Sequence, residues 1–399
     1  MVDSSPSVAP TTVSVTPKSP RSAASINSLF DDLISHVLGS LDDGRSLGRV
    51  CQTSRRLRQL GTDEKQWSKL YGERWPRPPP PTHGWYRDYA RRHHKDAAAL
   101  HYLPKLADAS QCSMAWQQLL DMGEEVFDCV AAVARGHRGH TDFAACTYPP
   151  TARTRDDAAK VLVGLNRTST LQQWAALVGG GRSARRSESA VEEGALLLVR
   201  FYATTEQLLS GDGHARFVRE EIDALGARLR SRLSPTYSAV EVVRALSELL
   251  CVEEGYAGNS QNYYDYRNSL LDSVLTSKRG IPISLSVLFA AVCARVGVQL
   301  DMIGLPGHFL LATRPQPPSH ERVFVDVFHG GQLLTLDHCE AIVRSYNVPW
   351  SEEMARPVPV SEVWQRMVRR IRATQHRARL PVASTQSHAS RLSARGAVC

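Results

Sequence analysis

The segment from Ile283 to Val298 places the strongest constraint on the fold of this 399-residue chain. It contains a single charged residue, Arg295, and so offers no polar face to water. A helix of this kind must be covered by other elements on all sides, because a surface helix carries a polar stripe. The segment is also shorter than the roughly 18 apolar residues that a membrane span needs. We therefore predict a buried core helix in a globular domain and no contact with a membrane.

Composition and cysteine usage agree with a globular protein. The chain has 42% hydrophobic and 22% charged residues and is long enough for two or three domains. Its eight cysteines include no CxxC pair, which argues against a disulfide scaffold and against a zinc ribbon. This pattern indicates a reducing compartment, cytoplasmic or nuclear.

The positive charge of the chain is concentrated near its end. The net charge of +8 equals the eight arginines that follow Glu362, after which no acidic residue occurs. The preceding part is therefore neutral. Since no basic stripe with interleaved aromatic residues accompanies these arginines, nucleic acid is not predicted as a partner.

No metal or cofactor is predicted. The adjacent His93 and His94 point about 100° apart on a helix, and no further ligand is spaced to help them hold an ion. We interpret the pair as part of a solvated basic face.

Proline, glycine and serine clusters divide the chain into segments. The leader has few arginines and no amphipathic pattern, which argues against an organelle transit peptide. The predicted segments are a disordered leader at 1–26, a module of short helices at 27–75, a proline-rich spacer and helical region at 76–189, an α+β domain at 190–372 and a disordered Arg/Ser tail at 373–399.

The module at 27–75 opens with an amphipathic helix whose apolar residues recur at helical spacing. Its strings SLFDDLISHVLGSL, LGRVCQTSRRLRQL and QWSKLYGERW resemble the F-box, although Phe30 stands where that family usually has proline. The resemblance implies docking on a Skp adaptor and, through it, on a cullin scaffold. An ordinary small helical subdomain is the alternative. The residues predicted to contact the adaptor are Leu29, Phe30, Leu33, Ile34, Val37, Leu38 and Leu41.

Residues 190–372 contain, in this order, the strings NYYDYRNSLLDSVL, RGIPISLSVLF, LPGHFLL and VFVDVFHGGQLLTLDHCEAIV. In these strings the segment resembles the SirB-type branch of the transglutaminase-like superfamily. The resemblance implies a cysteine-protease-like domain with an antiparallel sheet. The predicted fold class is therefore mainly α, with an N-terminal F-box module, a helical linker region and this α+β domain.

Active members of that superfamily use a cysteine at the start of a buried helix, with a histidine as base and an aspartate that orients it. His308, after a Pro-Gly turn, and Asp326 match the last two, and neighbouring antiparallel strands would place them side by side. The nucleophile position falls near Pro282 to Ser284, where there is no cysteine. Cys293 lies in the middle of the helix and is interpreted as a small buried hydrophobic residue.

The resemblance therefore implies a pseudoenzyme that keeps vestigial His308 and Asp326. Together with Asn268 and Arg279, these two residues are predicted to form a cleft that recognises a ligand or peptide. The two resemblances together predict a non-catalytic substrate-recognition subunit of an SCF-type ubiquitin ligase, with an unknown protein target. Two alternatives stay open: a residual hydrolase that uses Ser284, His308 and Asp326, and a binding protein independent of ubiquitin.

Overall fold

A computed structural model describes residues 29–75, 82–136, 150–179, 190–211, 213–314 and 322–378. The chain divides into two compact units, residues 1–94 and residues 95–399. The predicted leader at 1–26 and the proline run at 76–81 lie outside the described residues.

The first unit begins with four short helices that share one core. Two of them start at aspartates that accept backbone hydrogen bonds: Asp43 from Ser46 at 2.7 Å and Asp63 from Lys65 at 2.8 Å. A fifth helix, α5, begins in this unit. The bounds are α1 Asp31–Gly39, α2 Gly44–Thr53, α3 Arg55–Gly61, α4 Glu64–Arg74 and α5 Trp85–Tyr102. The buried apolar residues are Ile34, Leu38, Leu47, Cys51, Leu57, Trp67, Leu70, Tyr71, Trp75 and Tyr89.

The second unit is helical over its first half. Single turns of 3₁₀ helix occur at Leu103–Ala107 and Gly123–Val126, and a π-helical turn occurs at Glu248–Glu253. No helix in the described ranges is long and apolar enough to cross a membrane. The α-helices are α6 Cys112–Asp121, α7 Phe127–Ala134, α8 Ala152–Gly179, α9 Ala190–Phe201, α10 Thr205–Leu209, α11 Gly213–Arg230 and α12 Ala239–Ser247.

The sheet that was predicted follows in the second half of this unit. Its four strands are antiparallel and lie in the order in which they occur in the chain. They are β3 Leu300–Ile303, β4 Leu310–Thr313, β5 Phe324–Asp326 and β6 Gln332–Leu334. A short parallel pair, β1 Ala257–Gly258 and β2 Arg279–Gly280, precedes them. The predicted fold class, mainly helical with an antiparallel sheet in the C-terminal domain, is confirmed.

Helices flank both the short parallel pair and the sheet. They are α13 Leu271–Ser277, α14 Pro282–Arg295, α15 Leu336–Ser345 and α16 Val360–Ala378, with 3₁₀ turns at Tyr266–Ser269 and Glu352–Ala355. The disordered tail was predicted to begin at 373, but α16 continues to Ala378, so the predicted boundary lies too early in the chain. The Thr374 hydroxyl there bonds the Arg370 carbonyl at 3.0 Å, within the helix.

The predicted core helix is α14, and the second unit is built around it. It packs against α9, α11, α12, α13, α16, β3 and β4. Its one charged side chain, Arg295, lies at its last residue and bonds Glu192 at 2.8 Å and Asp223 at 2.7 Å. The helix can therefore be buried on every side without burying an unpaired charge. Its buried residues are Pro282, Ile283, Ser284, Leu285, Ser286, Val287, Leu288, Phe289, Ala291, Val292 and Cys293.

We expect Gly194→Ala to lower the stability of the second unit by about 1–3 kcal/mol. A Cβ atom on Gly194, in α9, would lie 2.0 Å from Nε1 of Trp364, which is 2% exposed and has no room to retreat. Thermal unfolding of the full chain measures the effect. Gly179→Ala is the control, because a Cβ at that position meets nothing within 4 Å. Equal melting temperatures for both variants would contradict the close packing of α9 on α16.

Candidate functional site

The position predicted for a nucleophile is the first turn of α14. The helix begins at Pro282, and the preceding Ile281 has extended backbone angles. Proline suits this position because its missing N–H would have no partner in the helix. The Ser284 hydroxyl accepts a hydrogen bond from the Ile281 N–H at 3.1 Å. Neither Pro282 nor Ile283 can supply a nucleophilic atom.

The predicted histidine follows a tight turn before β4. Gly307 has φ = +74°, a left-handed conformation, and a Cβ atom there would lie 2.7 Å from the ring of Tyr346. Both facts require glycine. The His308 N–H donates to the Leu305 carbonyl at 3.2 Å, which closes the turn. The His308 side chain is only 7% exposed.

The structure brings His308 and Asp326 together, as their placement beside antiparallel strands predicts. The Leu311–Val325 register of β4 and β5 aligns the turn that carries His308 with the end of β5. His308 Nε2 lies 2.7 Å from Asp326 Oδ2. The Asp326 side chain is 5% exposed, so this hydrogen bond satisfies two buried polar groups.

A second histidine, which the sequence reasoning missed, completes the group. His329 Nδ1 lies 2.8 Å from Asp326 Oδ2, and the His329 backbone N–H donates to Asp326 Oδ1 at 3.2 Å. Gly330 and Gly331 follow with φ of +79° and +74°, which turns the chain back towards Asp326. The string DVFHGG signals this turn, since two glycines after the histidine permit left-handed angles. The His329 side chain is 59% exposed.

The shared carboxylate controls the charge of this group. Burial alone would raise the pKa of Asp326, but the hydrogen bonds and positive charge of His308 and His329 hold it well below its usual range. The bond to Asp326 raises the pKa of His329, against the opposing effect of burial. Because an ionised carboxylate only accepts hydrogen bonds, His308 Nε2 and His329 Nδ1 must both carry a proton.

The same three side chains are those that could hold a metal ion. One ligand atom each from His308, Asp326 and His329 lie within 4.8 Å of one another. Two imidazoles and a carboxylate suit zinc and similar divalent cations. In this structure His308 Nε2 and His329 Nδ1 both bond the Asp326 carboxylate.

A cleft of about 380 Å³ joins the start of α14 to the histidine turn. Pro282, at the predicted nucleophile position, and His308 line the same cleft. One wall is apolar and the other carries three arginines of α16. The lining residues are Tyr263, Ile281, Pro282, Ile283, Leu305, Gly307, His308, Phe309, Arg366, Arg369, Arg370 and Ala373.

The two alternative nucleophiles are both enclosed in the core. Ser284 is fully buried, and its hydroxyl donates to the Asn268 carbonyl at 2.5 Å. Cys293 is fully buried in α14, and burial raises the pKa of its thiol well above the usual range. Neither is among the residues that line the cleft.

Of the four predicted cleft residues, His308 lines the cleft, Asp326 lies behind His308, and the other two lie elsewhere. The Asn268 side chain bonds the Asn262 carbonyl at 2.8 Å and Asn259 at 3.0 Å, and it faces a separate cavity. Exposed Arg279 bonds the Gly255 carbonyl at 2.7 Å. Their placement in the cleft is corrected by these contacts, since both side chains are engaged in holding the loop that precedes α13.

The residues predicted for adaptor contact lie on α1 and beside its two ends, and they separate into three sets by exposure. Phe30 is 84% exposed, and Leu33 and Val37 are each 49% exposed. Ile34 and Leu38 are instead buried in the core of the first unit. The remaining two, Leu29 and Leu41, are half-buried against that core.

We expect Asp326→Asn to lower the pKa of His329 towards its ordinary value of 6.5, because an amide oxygen accepts a hydrogen bond but carries no charge. NMR titration of the histidine ring measures this change. The raised pKa also means that the pair stabilises the fold fully below pH 6.5 and loses this contribution as the pH rises through the raised value. The free energy of unfolding, measured with urea, should therefore fall more between about pH 6 and about pH 9 in the wild type than in Asp326→Asn.

Asp337→Asn, at an exposed position of α15, is the matched control. It should leave the His329 titration unchanged. If both variants titrate alike, Asp326 does not set the charge of His329.

The second unit is similar in sequence to several known proteins. Residues 216–369 match the transglutaminase-like superfamily. A UPF0162 protein of Xylella fastidiosa is 32% identical over 171 residues, which are 38% of this chain and 60% of that protein. F-box only protein 21 of Mus musculus is 32% identical over 133 residues, which are 32% of this chain and 21% of that protein.

A UPF0162 protein of Pseudomonas aeruginosa is 28% identical over 200 residues, which cover 70% of its length. No solved structure matches the chain. The chain thus spans 60% and 21% of the first two relatives, so their whole lengths are not represented here. The second unit contains a transglutaminase-like domain, homologous to the UPF0162 proteins and to F-box only protein 21.

Proposed function

We propose that this chain is a substrate-recognition subunit of an SCF-type ubiquitin ligase. In this role the helices of the first unit bind a Skp adaptor, which links them to a cullin scaffold, and the transglutaminase-like domain binds the target protein. The chain would act by holding a target lysine near a ubiquitin-loaded enzyme, which raises the effective concentration of that lysine. The name of the relative F-box only protein 21 supports the proposal.

The proposed ligase role rests mainly on the exposed apolar face of α1. Phe30, Leu33 and Val37 follow the spacing that places side chains on one helical face, and all three are exposed. They lie beside Ile34 and Leu38, which already supply the core contacts of α1. A grouped apolar stripe on a helix that has its own core is typical of a protein interface.

We expect the double variant Leu33→Asp, Val37→Asp to lose co-purification with the Skp adaptor, with affinity reduced at least about thirtyfold. Both side chains are exposed, so the charges should disturb the interface and leave the fold intact. Circular dichroism checks the fold. The matched control is Leu171→Asp in α8, which is 58% exposed and belongs to the other unit.

Wild-type protein that fails to bind the adaptor would rule out this role. Binding that is equal in the α1 variant and the control would rule out this face. The first result would favour a recognition protein that works independently of ubiquitin, and the second would place the adaptor contact on another surface.

For the transglutaminase-like domain we propose a binding role without catalysis. Among the described residues that line the cleft there is no cysteine, serine or threonine. A hydrolase that uses Ser284 would first have to break that hydroxyl's 2.5 Å bond to the Asn268 carbonyl and expose a fully buried side chain. What supports recognition is that His308 and the arginines face a cleft in which no nucleophile is available.

We expect Pro282→Cys to create a reactive thiol. The new side chain would lie at a helix start, in the same cleft as His308, and both features lower a thiol pKa. Alkylation by iodoacetamide near pH 7 should be about tenfold faster than for an ordinary exposed cysteine. Adding His308→Gln should slow it again.

Ala373→Cys is the control, since it lines the same cleft from α16 and is not at a helix start. It should react at an ordinary rate that His308→Gln leaves unchanged. Equal rates for the two cysteines would show that the start of α14 and His308 no longer form a thiol-activating site.

A further inference from the structure

The cleft carries a positive charge that the residues around it do not balance. Arg366 is paired, since it bonds Glu362 at 2.8 Å and the Gly304 carbonyl at 3.1 Å. Arg369 is exposed and bonds only the neutral Gln365 side chain at 3.0 Å in the described structure. Asp326, the buried carboxylate behind His308, is already shared by two histidines.

Arg370 is the decisive residue. Its Nε and Nη2 atoms are buried and have no hydrogen-bond partner within the described ranges. Its guanidinium carbon lies 4.2 Å from the ring centre of Tyr263 and 5.0 Å from that of Tyr264. These cation–π contacts offset part of the cost of burying the charge but supply no oxygen acceptor. Nε and Nη2 together form the edge of the guanidinium that matches the two oxygens of a carboxylate.

The other parts of the cleft fit an anion attached to an apolar group. The start of α14 adds a partial positive charge, and no acidic side chain lies in its first turn. Ile281, Ile283 and Phe309 provide an apolar wall beside the arginines. The volume of about 380 Å³ is in the range of small-ligand pockets, roughly 300–1,000 Å³, and accommodates the end of a chain better than a folded surface.

We propose that this cleft binds the free C-terminal carboxylate of a target peptide, with the last side chain of the peptide against the apolar wall. The carboxylate would supply the acceptors that the Arg370 edge lacks. Nε and Nη2 of Arg370 offer two parallel donors, which match the two oxygens of a carboxylate. The inference rests on the proposed recognition role and names the chemical class of its target.

The test uses the purified full chain and two pools of fluorescent hexapeptides that are randomised at the last two positions. One pool ends in a free carboxylate and the other in an amide. We expect the immobilised chain to retain the free-carboxylate pool and to enrich peptides with an apolar last residue. Retention of both pools alike, or of neither, would overturn the proposal.

Variants then test Arg370 on the best retained peptide by fluorescence anisotropy. Arg370→Gln should weaken binding at least about thirtyfold, and Arg370→Lys should weaken it less, because an ammonium keeps the charge but not the two-pronged edge. Arg372→Gln, on the same helix but outside the cleft, is the control and should bind like the wild type.

If Arg370→Gln does not fold, Arg370→Lys and the amidated peptide test whether Arg370 binds the peptide carboxylate. Binding that is unchanged in the lysine variant and after amidation would overturn the assignment. Inorganic phosphate is added as a competitor, and strong competition at low concentration would point to a phosphate site and reject the carboxylate.

Adaptor binding is measured separately and does not depend on Arg370. Loss of peptide binding with retained adaptor binding would therefore refute this inference and leave the ligase role standing. Loss of adaptor binding with retained peptide binding would refute the ligase role and leave the carboxylate site standing.

Discussion

The second unit depends on the burial of α14. Each element packed against this helix is needed to cover an apolar face, and burial of about ten such side chains is worth on the order of 1.5–3 kcal/mol for each large one. Only Arg295 interrupts it, at a position where Glu192 and Asp223 are available. Burial on all sides therefore fixes the position and direction of α14. Its first turn, at Pro282, borders the cleft that His308 also lines.

The first turn of α14 and the His308–Asp326 pair differ in how strongly stability constrains their residues. His308 and Asp326 are buried polar groups, and Asp326 supplies the hydrogen bond that His308 Nε2 makes. Replacing Asp326 would leave that buried imidazole N–H without its partner, which costs about 1–3 kcal/mol or more. Pro282 has no such dependence, because a proline at the helix start leaves no hydrogen bond unmade. The hydrogen bond between His308 and Asp326 therefore stabilises the fold whether or not the cleft has a catalytic role.

The parts of this site that could be predicted are those set by local pattern. The absence of charge predicted α14, and the strand spacing predicted that His308 would meet Asp326. His329 was missed because its approach depends on a glycine turn, not on a strand. Asn268 was misplaced because its partners, the Asn262 carbonyl and the Asn259 side chain, are brought to it by the local loop, which the sequence pattern does not specify. Arg370 was assigned to a diffuse basic end, since a row of arginines does not reveal which of them faces inward.

The arginines of α16 differ in how far their charge is compensated by neighbouring groups. Side chains three and four apart on a helix share a face, so Arg366, Arg369 and Arg370 point towards one side. Of these, Arg366 is neutralised within its own helix by Glu362. Arg369 is exposed, whereas the Arg370 guanidinium lies against the rings of Tyr263 and Tyr264, which shield part of it from water without cancelling its charge. A charge shielded from solvent but not paired favours an incoming anion more strongly than an exposed one does, because less water has to be displaced when the pair forms.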